Sequence, residues 1–123
     1  MASSTVTLHR WSDIPEEQIN PLIARRFITA DRVTMAHFVL KRGSVVPQHS
    51  HENEQVSYII SGALKFILEG REIVVKGGEV LQIPPHVPHA AEAIEDCVAI
   101  DVFSPVRQDW VDKTDTYFNR QPK

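Results

Sequence analysis

The sequence predicts an all-β sandwich or barrel, on three observations. Short runs rich in β-branched and aromatic residues recur along the chain, as in strands of roughly 4–8 residues. Glycine or proline residues separate these runs at short intervals, a pattern typical of sandwiches and barrels. The length of 123 residues, 42% of them hydrophobic, suits one domain with a single core and is too short for two.

The N-terminal elements are predicted to be a helical turn and two strands. Residues 12–17 predict a turn of helix, because Ser12 or Asp13 can cap it and the following glutamates suit a helix N-terminus. Residues 19–28, interrupted by Pro21, predict an edge strand, since proline has no N–H to donate to a neighbouring strand. Residues 34–40 predict the next strand, which ends at the turn sequence 41–44.

Further strands are predicted in the rest of the chain, each bounded by turn residues. They cover residues 56–60, 63–68, 71–76, 79–83, 89–94 and 98–103. In the tail, residues 107–118 predict a short helix whose Trp110, Val111 and Tyr117 pack against one end of the barrel.

Composition and charge exclude several classes of function. The formal net charge is −3 and no basic stripe is present, so nucleic acid is not an expected partner. No run approaches the roughly 18 apolar residues that a membrane span needs. The N-terminus does not have the pattern of a secretory signal, and Cys97, the only cysteine, is expected to be a small buried hydrophobe. These features favour a cytoplasmic location.

Three histidines and one glutamine have a spacing that predicts a metal site. If residues 49–55 are extended, His49, His51 and Gln55 point to the same face of a strand. His89 follows a separate strand and a proline-rich turn, so it can approach from a neighbouring strand. Three imidazoles and one amide oxygen suit a divalent transition metal such as Zn, Ni, Co, Fe or Mn.

Other candidate ligands are less favoured by position. Glu52 and Glu54 have the opposite parity to His51, so they face solvent unless the segment is looped. His9 and His37 are expected to be structural or exposed. His86 either lines the mouth of the site or is an ordinary loop residue.

Two motifs, in order, resemble those of the cupin superfamily. The first has a glycine, five residues, His-x-His, a glutamate three or four residues on, then six residues and a glycine; it matches at Gly43, His49, His51, Gln55 and Gly62. The second has a glycine, five residues, Pro-x-Gly, two residues and a histidine; it matches at Gly78, Pro84 and His89. Gln55 and His86 stand where glutamate and glycine are usual.

The resemblance implies the fold. It is a single cupin double-stranded β-helix, a jelly-roll barrel, over residues 1–123, with the barrel core at about 33–104 and short extensions at each end. It also implies a homodimer, because small cupins often pair through edge strands or exchanged N-terminal segments.

Glutamine at position 55 has a chemical consequence. A neutral amide cancels none of the metal's charge, so the site favours an anionic ligand and Lewis-acid chemistry. The missing carboxylate also makes a non-haem iron oxygenase less favoured.

Three segments resemble one cupin branch more closely. They are residues 55–58, 83–89 and 101–107. They are similar to the pectin- and alginate-degradation cupins, which convert 4,5-unsaturated uronates to linear 5-keto-4-deoxyuronate. That branch holds its metal with three histidines and a glutamine, so the resemblance implies that His49, His51, Gln55 and His89 are the ligands.

The segment that begins at Asp101 contains the candidate catalytic residues. Asp101 and Phe103 share one face of a strand, and Ile100 and Val102, on the other face, are expected to fill the core. An aspartate is costly to bury without a partner, so Asp101 has either a role near the metal or a structural arginine partner.

The functional hypothesis assigns one role each to Arg107, Phe103 and Asp101. Arg107 can offer a bidentate fork to a substrate carboxylate, or is a solvated arginine at the barrel rim. We expect a small anionic, sugar-like substrate whose carboxylate Arg107 holds and whose apolar face packs on Phe103. Asp101 moves the proton for ring opening and tautomerisation. The alternatives are a metal dioxygenase, a non-catalytic binding module, and an isomerase or lyase acting on another acidic sugar.

Overall fold

The computed structural model describes residues 5–119, which form two antiparallel β-sheets. The strands in chain order are β1 (Glu17–Asn20), β2 (Ile23–Thr29), β3 (Thr34–Leu40), β4 (Val45–His49), β5 (Glu54–Ser61), β6 (Ala63–Leu68), β7 (Arg71–Lys76), β8 (Val80–Ile83), β9 (His89–Ala93) and β10 (Cys97–Ser104). The first sheet has the order β1-β2-β3-β10-β5-β8 and the second has the order β4-β9-β6-β7. The predicted all-β class is confirmed.

The strand order shows how the chain alternates between the sheets. β10 lies between β3 and β5, and β9 lies between β4 and β6, so strands distant in sequence are neighbours in space. All of these pairs are antiparallel. Such crossovers are those of a jelly roll, in which two sheets enclose one core.

The core fills the space between the sheets. On β3 the burial alternates strictly, as expected for a strand with one face inside. Buried side chains from both sheets form one cluster, which includes Ile23, Phe38, Ile59, Phe66, Ile83, Cys97, Ala99 and Phe103. Cys97 is 1% exposed, and burial raises the pKa of its thiol to about 11. Its predicted place as a small buried hydrophobe is confirmed.

The prediction of one strand over residues 19–28 is wrong. The segment is a hairpin of β1 and β2, and β1 alone is at the edge of the sheet. The turn between them closes on Asn20, whose Oδ1 accepts hydrogen bonds from the backbone N–H groups of Leu22 (2.8 Å) and Ile23 (3.0 Å). An asparagine that bonds the backbone two residues on is a turn former, and Pro21 follows it.

The predicted helical turn at residues 12–17 is also displaced. A single 3₁₀ turn covers Trp11–Asp13, without a side-chain cap, and Glu17 already begins β1. Glu17 is held there by Arg25 of β2, whose Nε donates to its Oε1 at 2.8 Å. At Glu17, pairing with β2 therefore determines the structure, despite the local preference for a helix.

The predicted extended segment from His49 to Gln55 is wrong. The structure has a strand that the sequence did not predict, β4, which pairs with β9 and ends at His49. Residues 50–53 form a loop, and β5 begins at Glu54. The remaining predicted strands agree with the structure to within two residues at each end.

The two faces of β10 are the reverse of the prediction. Cys97, Ala99 and Phe103 are buried in the core, and Asp101 shares their face. Ile100 and Val102 lie half-buried on the outer face of the sheet. The predicted pairing of Asp101 with Phe103 on one face holds, but that face is the interior.

The tail contains less helix than predicted. α1 (Gln108–Val111) is one turn long, and a 3₁₀ turn follows at Tyr117–Asn119. Trp110 is buried as expected, whereas Val111 is 48% exposed, so its predicted packing is wrong.

An ion pair fastens this tail to the barrel. The side chain of Arg25 is 2% exposed, and its Nη2 lies 2.9 Å from Oδ2 of Asp115. Its guanidinium also lies over the ring of Trp110, 4.2 Å from the ring centroid. We call residues 108–119 the C-terminal segment. Among residues 5–119, no helix has the length and apolar character needed to cross a membrane.

Candidate metal centre

Three histidines meet inside one end of the barrel. His49 ends β4, His51 lies in the loop that follows, and His89 begins β9. His49 and His89 are register partners, and their ring centroids are 4.4 Å apart. One ring nitrogen from each of the three lies within 4.8 Å of the others. We call these residues the three-histidine cluster.

Each histidine of the cluster has its Nδ1 against a backbone carbonyl two residues away. The distances from Nδ1 to oxygen are 2.9 Å for His49 and Pro47, 3.0 Å for His51 and Asn53, and 2.8 Å for His89 and Val87. A carbonyl oxygen only accepts, so Nδ1 carries the proton and Nε2 presents a lone pair. This arrangement orients metal-binding histidines in proteins.

The cluster is uncharged at neutral pH. Burial lowers the pKa of His49 to about 3 and that of His51 to about 4, and also lowers the pKa of His89. The positive charge of Arg107 lowers all three further. Nε2 of His89 is buried and has no hydrogen-bond partner among the described residues. Neutral imidazoles with unused lone pairs fit a metal ion.

Gln55 brings an oxygen to the same point. Its Oε1 lies 3.0 Å from Nε2 of His51. Both atoms present lone pairs when Nδ1 of His51 carries the proton. Two ligand atoms of one ion, each bound at about 2.1 Å, lie roughly 3–3.5 Å apart. The spacing therefore fits two adjacent ligands of one ion.

The other residues considered as ligands lie outside the three-histidine cluster. Glu52 and Glu54 are exposed, although Glu52 lies in a loop and not in the extended strand on which the parity argument rested, and His9 is exposed too. His37 is half-buried, with its ring 5.6 Å from that of Trp11. The side chain of His86 is exposed, and its backbone N–H donates to the carbonyl of His51 at 2.8 Å.

Asp101 faces the same interior space as the cluster. Its Oδ1 is buried without a hydrogen-bond partner among the described residues. Burial raises the pKa of its carboxyl to about 6, although the hydroxyl of Ser57 and the charge of Arg107 act to lower it. Phe103, two residues on, is 2% exposed, and its ring centroid is 5.6 Å from that of His51.

Arg107 lines the interior space beside the cluster. It is buried, with its side chain 1% exposed, and is not a solvated arginine at the rim. Its bidentate fork is occupied, because Nε and Nη2 lie 2.9 and 2.8 Å from the two carboxylate oxygens of Asp109. Its guanidinium lies over the rings of Phe103 and Trp110. Aromatic faces and one carboxylate together allow this charge to be buried.

The cavity beside the cluster is small. Its volume is about 40 Å³, and its lining includes Asp101, Arg107 and Tyr117. A volume of that size has room for only a few water molecules. The C-terminal segment closes this end, with the ring of Tyr117 stacked on His49.

Sequence reasoning missed three residues that build the site. Tyr117 was expected only to pack on the barrel, and no pattern pointed to its contact with His49. The side chain of Asn53 donates to the carbonyls of Pro105 and Val106, which ties the loop of His51 to the chain between β10 and α1. Ser57 accepts a hydrogen bond from Gln55, and its shared parity with Gln55 on one strand was the available signal.

Comparison with known proteins gives a consistent result. The sequence profile of the cupin domain matches residues 36–103. The pectin degradation protein KdgF of Dickeya dadantii (strain 3937) is 28% identical over 102 residues, which cover 80% of this chain and 93% of that protein.

Two solved structures superpose closely on the barrel. KdgF from Halomonas sp. gives a TM-score of 0.80 at 29% identity and covers 86% of this chain and 99% of the other. An RmlC-like cupin from Shewanella frigidimarina NCIMB 400 gives 0.79 at 25% identity, over 86% and 96% of the two chains. The predicted jelly-roll fold is thus confirmed. The matched profile covers more than half of the chain, and the chain belongs to the cupin domain family.

Proposed function

We propose that this cupin is a metal-dependent enzyme that converts a 4,5-unsaturated uronate to linear 5-keto-4-deoxyuronate. The observation that carries the proposal is the convergence of three Nε2 lone pairs and Oε1 of Gln55 beside the carboxyl of Asp101. The similarity to a pectin degradation protein supports the substrate class. The proposed ligands are His49, His51, Gln55 and His89.

The reaction needs proton transfer but no oxidant. Opening the ring removes the proton from the anomeric hydroxyl and breaks the C1–O5 bond, which leaves an aldehyde at C1 and an enolate at C5. Returning one proton, at C4, turns that enolate into the C5 ketone, so the product is an isomer of the substrate. A divalent ion held by the cluster would supply a Lewis acid that polarises a substrate oxygen.

Asp101 is the proposed proton carrier. A group whose pKa is near the working pH both accepts and donates protons efficiently. The pKa of Asp101, raised to about 6 by burial, meets that condition. The unpartnered Oδ1 is available for the substrate, and general acid–base catalysis of this kind contributes roughly 10²–10⁴-fold in rate.

The charges beside the cluster suit an acidic substrate. The imidazoles are neutral and Gln55 is uncharged, so a divalent ion there would keep its positive charge. Arg107 adds a cation that Asp109 balances in part. In the proposal, Arg107 attracts the substrate carboxylate, using Nη1 or exchanging Asp109 for the substrate, and Phe103 packs on the sugar.

Substrate entry requires movement. A cavity of about 40 Å³ is too small for a monosaccharide, which is many times larger than a water molecule. Trp110, Tyr117 and Phe118 of the C-terminal segment are part of its lining. We therefore propose that this segment moves aside when the sugar acid binds.

The test is a turnover assay with freshly generated 4,5-unsaturated galacturonate and metal-loaded protein. Loss of the ultraviolet absorbance of the conjugated double bond is followed against the spontaneous reaction. Acceleration that a chelator abolishes, without oxygen consumption, supports the proposal. No acceleration with metal bound overturns it, and oxygen consumption instead indicates a dioxygenase. Tight uronate binding without turnover indicates a binding module.

Location and assembly belong to the same proposal. We propose a cytoplasmic protein that forms a homodimer and binds no nucleic acid, as the sequence and the family resemblance imply. Light scattering on the purified protein tests the assembly, and a mass of one chain contradicts it.

A further inference from the structure

We propose that Ser57 is a positioning residue that makes Gln55 present its oxygen, and not its NH₂ group, to the three-histidine cluster. The inference rests on the proposed metal site. It concerns a side chain that would not touch the ion or the substrate.

The amide of a glutamine is nearly symmetric in shape, so its partners decide which end points where. One end of the Gln55 amide faces Nε2 of His51, and the other faces Oγ of Ser57 at 2.9 Å. Without a metal, the reversed amide would be favourable on the side of His51, because its NH₂ group could donate to the imidazole lone pair. The partner on the other side, Ser57, must therefore favour the observed orientation.

Ser57 supplies that preference because its only proton is already used. Ser57 on β5 and Asp101 on β10 are register partners. Register partners on neighbouring strands have their side chains on the same face, so the serine hydroxyl lies beside the Asp101 carboxyl, where it acts to lower the pKa of that carboxyl. An ionised carboxylate only accepts, so Ser57 donates to it and has only lone pairs left for Gln55. The NH₂ group of Gln55 must then point to Ser57, and its oxygen to the cluster.

Burial makes the arrangement costly to change. Ser57 is 0% exposed and Gln55 is 5% exposed, so water does not readily replace either partner. An amide nitrogen left without an acceptor in such surroundings is unfavourable, because its desolvation is not compensated by a hydrogen bond. When the hydroxyl is removed, the amide regains a partner by turning its NH₂ group to His51, and this withdraws the oxygen from the proposed metal position.

The first test is cobalt(II) binding. We expect Ser57→Ala to weaken cobalt binding about 10–100-fold, the range for residues that orient metal ligands, and to change the visible spectrum of the cobalt-loaded protein. Ser57→Thr keeps the hydroxyl and should restore both properties. Ser61→Ala, an exposed serine on the same strand, should change neither. Urea unfolding of each metal-free variant shows whether it is folded.

The second test asks whether Ser57 acts through the amide. Gln55→Glu replaces the amide by a carboxylate, whose two ends are both oxygen, so orientation no longer matters. In that background we expect Ser57→Ala to weaken cobalt binding by less than about threefold, because residues that act through each other are not additive. An equal loss in both backgrounds, or no loss with Gln55 present, overturns the role of Ser57. Failure of the unmodified protein to bind cobalt overturns the proposed metal site itself.

Discussion

The ring of Tyr117 lies parallel to the imidazole of His49, with the two centroids 4.0 Å apart and the planes inclined by 8°. A candidate metal ligand is thus covered by a residue from the C-terminal segment. Access to the cluster depends on how firmly that segment is fastened, and Arg25 with Asp115 is the ion pair that fastens it.

Asp115→Asn should loosen the segment. The change removes one of the two negative charges that pair with the buried Arg25, while the side-chain volume stays nearly the same. We expect faster hydrogen–deuterium exchange in residues 112–119, measured by mass spectrometry, and unchanged exchange in the core strands. Glu17→Gln is the matched control, because Glu17 pairs with the same arginine from β1. Equal exchange in the variant and the unmodified protein would contradict the fastening role.

Asp109→Ala should destabilise the whole domain. The variant leaves the buried guanidinium of Arg107 without its bidentate partner. Breaking a fully buried pair costs about 3–5 kcal/mol, and we expect about 2 kcal/mol because the Asp109 side chain is 35% exposed. Urea unfolding measures the loss. The control is Asp112→Ala, an exposed aspartate bonded to Gln108, and a similar small change in both variants would count against the prediction.

His89→Ala should abolish stoichiometric metal binding. The variant removes one of three Nε2 lone pairs, and it is the buried one. We expect zinc content, measured by elemental analysis after dialysis, to fall from about one ion per chain to near zero. His86→Ala removes an exposed imidazole three residues earlier and should keep its zinc. Retention of zinc by His89→Ala would remove this residue from the proposed ligands.

Asp101→Asn should stabilise the metal-free protein at neutral pH. The pKa of Asp101 is about 6 in the folded protein and about 3.9 in an unfolded chain. Its contribution to stability is thus fully present below pH 3.9 and is lost as the pH rises through 6. Asparagine does not ionise. The free energy of unfolding of the variant therefore rises relative to that of the unmodified protein between pH 3.9 and 6, by about 3 kcal/mol at most.

Urea unfolding at pH 4 and at pH 7.5 measures this gain. A gain that is equal at both pH values, or absent at pH 7.5, would contradict the raised pKa. Glu95→Gln, an exposed acid in the turn before β10, is the control for the loss of a carboxylate charge at the surface.

The strands were predictable where local pattern and tertiary pairing agree. The strand from Thr34 to Leu40 was predicted with both of its ends, because its alternation continues without a break to a glycine turn. β4 was missed because it is short and contains Pro47, which disfavours a strand in most contexts. The N-terminal hairpin was missed because the turn at Asn20 depends on a side-chain hydrogen bond.

The candidate site, too, was predictable from the sequence only in part. Spacing and family resemblance identified the histidines and Gln55, but by the wrong route, since a loop and not a strand brings His51 to His49. The burial of Arg107 had no signal in the sequence, because it requires Asp109 and three aromatic rings that only the folded chain assembles. The histidines are oriented by backbone carbonyls. Every residue type has one, so no pattern of residues in the sequence could indicate them.

The position of the single thiol has a practical use. Cys97 begins β10 and is closed off within the core, so a thiol reagent reaches it only when the barrel opens. At low reagent concentration the modification rate reports how often the native barrel opens without denaturant. A ligand that binds only the folded chain must slow this modification by the factor 1 + [L]/Kd, whether or not any reaction is catalysed. The modification rate of this core thiol thus measures ligand binding independently of any assay of turnover.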